Sequence, residues 1–162
     1  MSEAADRIAQ LEFLTKLQRI LGEGLFSASY KYALLLSLAE LSVEKSPAPD
    51  GSLRIELDEL ADRFITLYWR QVAPFGGKSM LAQNAGRQAS IIGKIAAFKA
   101  SAPTLAVARN HKTWSRLVRE VGRLLDQMPL WKLQLVGRER LDFLYEERLV
   151  ERGIVLRPGI AA

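Results

Sequence analysis

Apolar side chains at three- and four-residue steps constrain this chain more than any other feature. Ile8, Leu11, Leu14, Leu17 and Leu21 keep that spacing, with Arg7, Gln10, Lys16 and Gln18 between them. A period near 3.6 residues stacks side chains along one side of an α-helix, whereas a strand needs strict alternation. The spacing predicts an amphipathic first helix ended by Gly22 and Gly24. Ser27 or Ser29 is placed to cap a second helix running through Tyr30, Lys31 and Tyr32 to about Lys45. Between Ala33 and Ala39 that helix is apolar on nearly every side, which predicts a position at the centre of the core.

The rest of the chain follows the same logic. Ser46-Pro47-Ala48-Pro49-Asp50-Gly51-Ser52 reads as a loop, and Leu53-Arg54-Ile55-Glu56-Leu57 alternates as a short strand does. Asp58 is expected to cap a third helix with Leu60, Phe64, Leu67 and Tyr68 inward. After a break at Pro74-Phe75-Gly76-Gly77, a fourth helix is expected from about Ser79 to Ala100 and a fifth from about Asn110 to Gln127. Met128-Pro129 ends the fifth, with one further turn over Leu130–Leu133. Leu141–Tyr145 and Gly153–Arg157 read as two strands of a hairpin. Trp69, Trp114 and Trp131 fall at packing positions. The expectation is a mainly α, compact five-helix domain with a short strand and a C-terminal β-hairpin, an order compatible with a winged-helix-like arrangement. One domain spans 1–162, with an N-terminal helix (1–24), a helical core (25–140) and a hairpin tail (141–162).

Composition narrows the function classes. Of 162 residues, 49% are hydrophobic, enough to offset folding entropy with a real core. Cysteine is absent, which excludes disulfides, zinc ribbons, thiol catalysis and iron–sulfur clusters. His111 is the single histidine, so no site can use two imidazoles. The longest apolar run, Ala33–Ala39, falls far short of the roughly 20 residues of a membrane span. The polar, acidic start is unlike a secretory signal, so a cytoplasmic protein without a membrane partner is expected.

Charge is distributed unevenly. The net charge is +5, but residues 1–60 carry six Lys/Arg against ten Asp/Glu, and residues 61–162 carry seventeen against eight. Between Asp62 and Glu120 there is no carboxylate, while ten Lys/Arg fall in that gap. The fifth helix is two-faced: Trp114, Leu117, Val118, Val121, Leu124 and Leu125 form one stripe, and Arg109, Lys112, Arg116, Arg119 and Arg123 form another at steps of 3, 4, 3 and 4. On a continuous helix that row extends roughly 21 Å. Gln83, Arg87, Ser90 and Lys94 share a face of the fourth helix. Such rows of cations displace counterions from a phosphate backbone. Gln83, Asn84, Gln88 and Asn110 add donors for sugars and base edges. The candidate nucleic-acid contacts are therefore Arg87, Lys94, Arg109, Lys112, Arg116, Arg119 and Arg123; the alternatives are ordinary solvated faces of a basic protein or a contact for an acidic protein partner.

Other motifs point to structure rather than chemistry. Gly77-Lys78-Ser79 matches the end of a phosphate-binding P-loop, but Val72 stands where its first glycine belongs and no buried strand precedes it. A turn followed by a helix start explains the same residues. His111 lies near Ser115 without a nucleophile-elbow sequence around it, and reads as a surface or phosphate-contact residue. Glu56, Asp58, Glu59 and Asp62 read as a helix N-terminus favoured by its dipole. No catalytic residue, metal or cofactor is expected.

Three stretches carry a family resemblance: Ser29-Tyr30-Lys31-Tyr32-Ala33-Leu34-Leu35-Leu36-Ser37-Leu38-Ala39-Glu40-Leu41, Phe64-Ile65-Thr66-Leu67-Tyr68-Trp69-Arg70-Gln71, and Leu144-Tyr145-Glu146 with Ile154-Val155-Leu156-Arg157-Pro158-Gly159. From about residue 25 onward the chain resembles the helical N-terminal region of a group of bacterial HNH endonucleases. The resemblance implies DNA as partner and an accessory, target-positioning role. It carries over no catalytic residue, because the metal-binding HNH module has no counterpart among these residues. On that reading the chain is a separately produced domain, or a truncated product, of a longer nuclease. The alternative is a helical protein-interaction or homodimerisation domain of a bacterial defence or regulatory complex, with the Leu34–Leu41 helix only partly buried within one chain.

Overall fold

The structure, a computed structural model, describes residues 3–23, 28–72, 87–146 and 151–161. Two long helices come first, α1 (Glu3–Glu23) and α2 (Ala28–Glu44). A strand, β1 (Leu53–Glu56), runs directly into α3 (Leu57–Gln71). Then follow α4 (Arg87–Ala100), the short α5 (Leu105–Arg109), α6 (Trp114–Gln127) and the single turn α7 (Pro129–Leu133). Three short strands complete the chain: β2 (Leu135–Val136), β3 (Glu139–Arg140) and β4 (Gly153–Leu156). The fold is mainly α and compact, and among the described residues no helix is long and apolar enough to cross a membrane. The Gly77-Lys78-Ser79 turn, Gln83, Asn84 and the first part of the expected fourth helix lie outside the described residues.

The third helix organises the core. Leu60, Ala61, Phe64, Ile65, Tyr68 and Trp69 are all buried, so α3 is apolar on two sides, with α2 packed on one and α6 on the other. Tyr30 of α2 meets Phe64 and Tyr68 at ring-centroid distances of 5.5 and 5.3 Å. Trp114 of α6 stands edge-on to Trp69 and Phe98. The cap of α3 is Glu56, not Asp58: Glu56 and Glu59 form a reciprocal capping box, and Asp58 falls in the first turn.

Several expected elements are changed by packing. The fifth helix starts at Trp114, because residues 110–113 form a turn that separates it from α5. Trp114 anchors that turn by filling the corner between Trp69 and Phe98 while its Nε1 donates to Asp62 at 3.2 Å. The second helix is not enclosed: Leu34, Leu38 and Leu41 are buried, but Leu36 is 48% exposed. A 3.6-residue period forces this, since neighbours two positions apart point to different sides. Trp131, expected at a packing position, is 41% exposed, with the Arg140 guanidinium over its ring.

The strands also pair beyond their sequence neighbours. β4 lies antiparallel to β1, with Leu53 opposite Leu156 and Glu56 opposite Gly153. Of the Leu141–Tyr145 strand only a bridge from Tyr145 to Leu156 forms, with one further hydrogen bond from Arg157 N to Leu144 O. The buried Gln134 side chain takes up part of the backbone there: its Oε1 accepts from Leu144 N at 2.8 Å and its Nε2 donates to Tyr145 O at 2.9 Å. Tyr145 in turn donates its hydroxyl to Leu130 O at 2.6 Å. A small β2–β3 hairpin, unforeseen from sequence, turns at Gly137 with φ +61°.

Candidate nucleic-acid interface

Acids distant in sequence neutralise part of the acid-free stretch. Arg63 on α3 pairs with Glu40 and Glu44 of α2, at 3.0 and 2.6 Å. Lys94 on α4 pairs with Glu120 of α6 at 3.0 Å. Lys99 donates to Trp69 O at 2.6 Å, near the C-terminal end of α3 where the helix dipole favours a cation. Arg109 ends α5 and reaches back to α3, where Nη2 meets Asp62 Oδ2 at 3.0 Å and Thr66 Oγ1 at 2.6 Å. Its guanidinium also lies over the Trp114 ring. Arg109 and Lys94 are therefore tied down within the fold.

The expected five-residue row is shortened accordingly. Lys112 is exposed in the turn before α6, off the helix face, and Asn110 donates to Ala106 O within its own turn. His111 is exposed, and its Nδ1 shares a hydrogen bond with Thr113 Oγ1 at 2.8 Å. Arg87 opens α4, and its side chain, like that of Gln88, lies outside the described ones. Arg116, Arg119 and Arg123 remain, exposed at steps of three and four on the outer face of α6. Helical rise sets their span at roughly 10 Å. Among the described residues no carboxylate lies within ion-pair distance of any of the three.

These three line a groove of about 490 Å³ together with Leu57, Glu120, Asp126 and Arg152. Local sequence explains the wall. Leu117, Val118, Val121 and Leu125 turn inward, which leaves the arginines outward. Gly122 lets α6 come close to the start of α3, since a Cβ there would meet Leu57 Cγ at 3.2 Å. Arg152 comes from the turn before β4, a position sequence reasoning missed. Glu151 and Arg152 both take left-handed φ values, +48° and +64°. The turn is held by Leu57 N donating to Arg152 O at 2.8 Å and by Arg54 Nη2 donating to Glu151 O at 2.9 Å. Gly153 permits the close approach, because a Cβ would lie 2.9 Å from Ile55 O. The one sequence signal was the Glu151-Arg152-Gly153 turn itself, and nothing in the pattern reported that β4 would pair with β1 and bring Arg152 to α6.

The groove combines four guanidinium groups with two carboxyl groups. Arg152 makes a 3.4 Å contact with Asp58 and is more than half exposed, so it stays accessible. Glu120 is engaged by Lys94. Burial pushes the Asp126 carboxyl above its ordinary pKa, so its charged form is disfavoured where it sits. Guanidinium groups stay charged and present a planar fork that suits phosphate oxygens. Among the described residues, no three His, Cys, Asp or Glu side chains gather to hold a metal ion. Comparison with known family models, curated proteins and solved structures returns no match.

Proposed function

We propose that the chain binds the phosphate backbone of duplex DNA through the outer face of α6, as a non-catalytic, target-positioning domain. The observation that carries this reading is the set of Arg116, Arg119 and Arg123 on one groove wall, with no carboxylate in ion-pair range among the described residues. A short row of fixed cations suits a regular row of phosphates, each contact releasing condensed counterions. Duplex is favoured over single strands because among the described residues the groove lining includes no aromatic ring, and single-strand sites rely on base stacking. The resemblance to the N-terminal region of HNH endonucleases supplies the context, in which a separate nuclease module cuts what this domain holds.

Fluorescence anisotropy with labelled duplex across a salt series tests the reading. Three to four phosphate contacts give a slope of log affinity against log salt of about −2.7 to −3.6. Binding that is absent at low salt, or indifferent to salt, overturns it. Metal-dependent nicking of plasmid by the purified chain would show that its role is not confined to binding.

A further inference from the structure

The second helix carries an apolar line that the core leaves uncovered. Tyr32, Leu36, Ala39 and Val43 recur at steps of four, three and four, the spacing of a coiled-coil seam. All four are exposed, Val43 to 87%. The line borders an apolar groove of about 500 Å³ between α1 and α2, walled on the α1 side by Phe13, Leu17 and Leu21. Beyond the groove, α1 continues as a ridge: Ile8, Leu11 and Leu14 are exposed on the side turned away from the buried Ile20.

We propose that this α1–α2 face is a dimerisation surface, and that its occupant is a second copy of this chain. Area is the first argument. At roughly 100 Å² of open side chain apiece, Ile8, Leu11, Leu14, Tyr32, Leu36 and Val43 approach ~600 Å², the upper end for the largest patch on a monomer. That is most of the ~800 Å² each partner contributes to a standard-size interface. Self-complementarity is the second. The chain owns both a ridge on α1 and a groove beside it, and a twofold axis places each ridge against the other copy's groove. The groove itself is mostly apolar: among its described lining side chains, Tyr32 and Ser42 are the polar ones, and Ser42 already donates to Ala39 O. The proposed face does not include the arginine groove, because none of the described residues lining that groove belongs to α1 or α2.

Sedimentation velocity between roughly 1 and 200 µM tests this, over the range where specific pairs of moderate affinity form. The wild-type mass should rise from 18.1 kDa toward twice that value. Val43→Glu and Leu36→Glu should each weaken association at least tenfold while leaving circular dichroism and melting unchanged, since both positions are exposed. Leu11→Glu tests the ridge independently. If Leu36→Glu perturbs folding, Val43→Glu decides alone. A wild-type chain that stays at 18.1 kDa throughout overturns the proposal whatever its affinity for DNA, as do variants that dimerise like wild type.

Discussion

Two groups of arginines, one on α3 and α5 and one on α6, meet different fates. Arg63 and Arg109 are drawn onto Glu40, Glu44 and Asp62, so they join α2, α3 and α5 together. Arg116, Arg119 and Arg123 stand on α6 where no acid of the described fold reaches them. All five belong to one stretch of positive character or its immediate continuation, so charge content does not distinguish them. What distinguishes them is which element packs opposite. A cation facing a carboxylate becomes part of the scaffold, and one facing open solvent keeps its charge for a partner.

The comparison breaks most visibly if the free group is removed. Replacing Arg116, Arg119 and Arg123 together by Ala should flatten the salt slope by about 2.7 and weaken duplex binding on the order of 10²–10³-fold at 0.1 M salt. The melting temperature should move little, because surface positions contribute within about 0.5 kcal/mol each. Unchanged affinity in this variant would remove the α6 face from the site.

Asp62→Ala probes the tied group. It removes the acceptor for Arg109 Nη2 and for Trp114 Nε1 at once, and urea unfolding should show a loss of roughly 1–2 kcal/mol. The salt slope should not flatten, since the change frees a cation rather than deleting one. A slope reduced as far as in the triple variant would erase the distinction between the two groups.

Arg152→Ala is a finer test. It should lower the slope by about 0.9 and affinity roughly eightfold at 0.1 M salt, with Arg116, Arg119 and Arg123 intact. No change would place the bound backbone along α6 alone.

The smallest effect is expected at Asp126. Asp126→Asn should tighten duplex binding a few-fold at neutral pH by removing a like charge beside the phosphates. Its raised pKa means that the ionised form is disfavoured in the folded chain, so the substitution should also add stability at neutral pH. That gain should vanish below the ordinary carboxyl value of 3.8, where both states are protonated. Wild-type affinity should rise as pH falls through the Asp126 titration, and the variant should lack that component.

Helix content and inward faces were legible along the chain because they follow from local geometry. The spacing of Leu60, Phe64 and Tyr68, or of Leu117, Val121 and Leu125, places each set on a buried face whatever else the chain does. The same period put Arg116, Arg119 and Arg123 on the opposite face of α6. Tertiary structure decided the rest. It broke the Arg109–Arg123 row at the turn before Trp114, gave Lys94 and Arg109 to Glu120 and Asp62, and brought Arg152 to α6 through the β1–β4 pairing. It also left Leu36 and Val43 uncovered on a helix whose composition alone reads as fully internal. The physical reason is range. Helical period is set by backbone geometry over a few residues, whereas the availability of a cation or an apolar face depends on which distant segment packs against it.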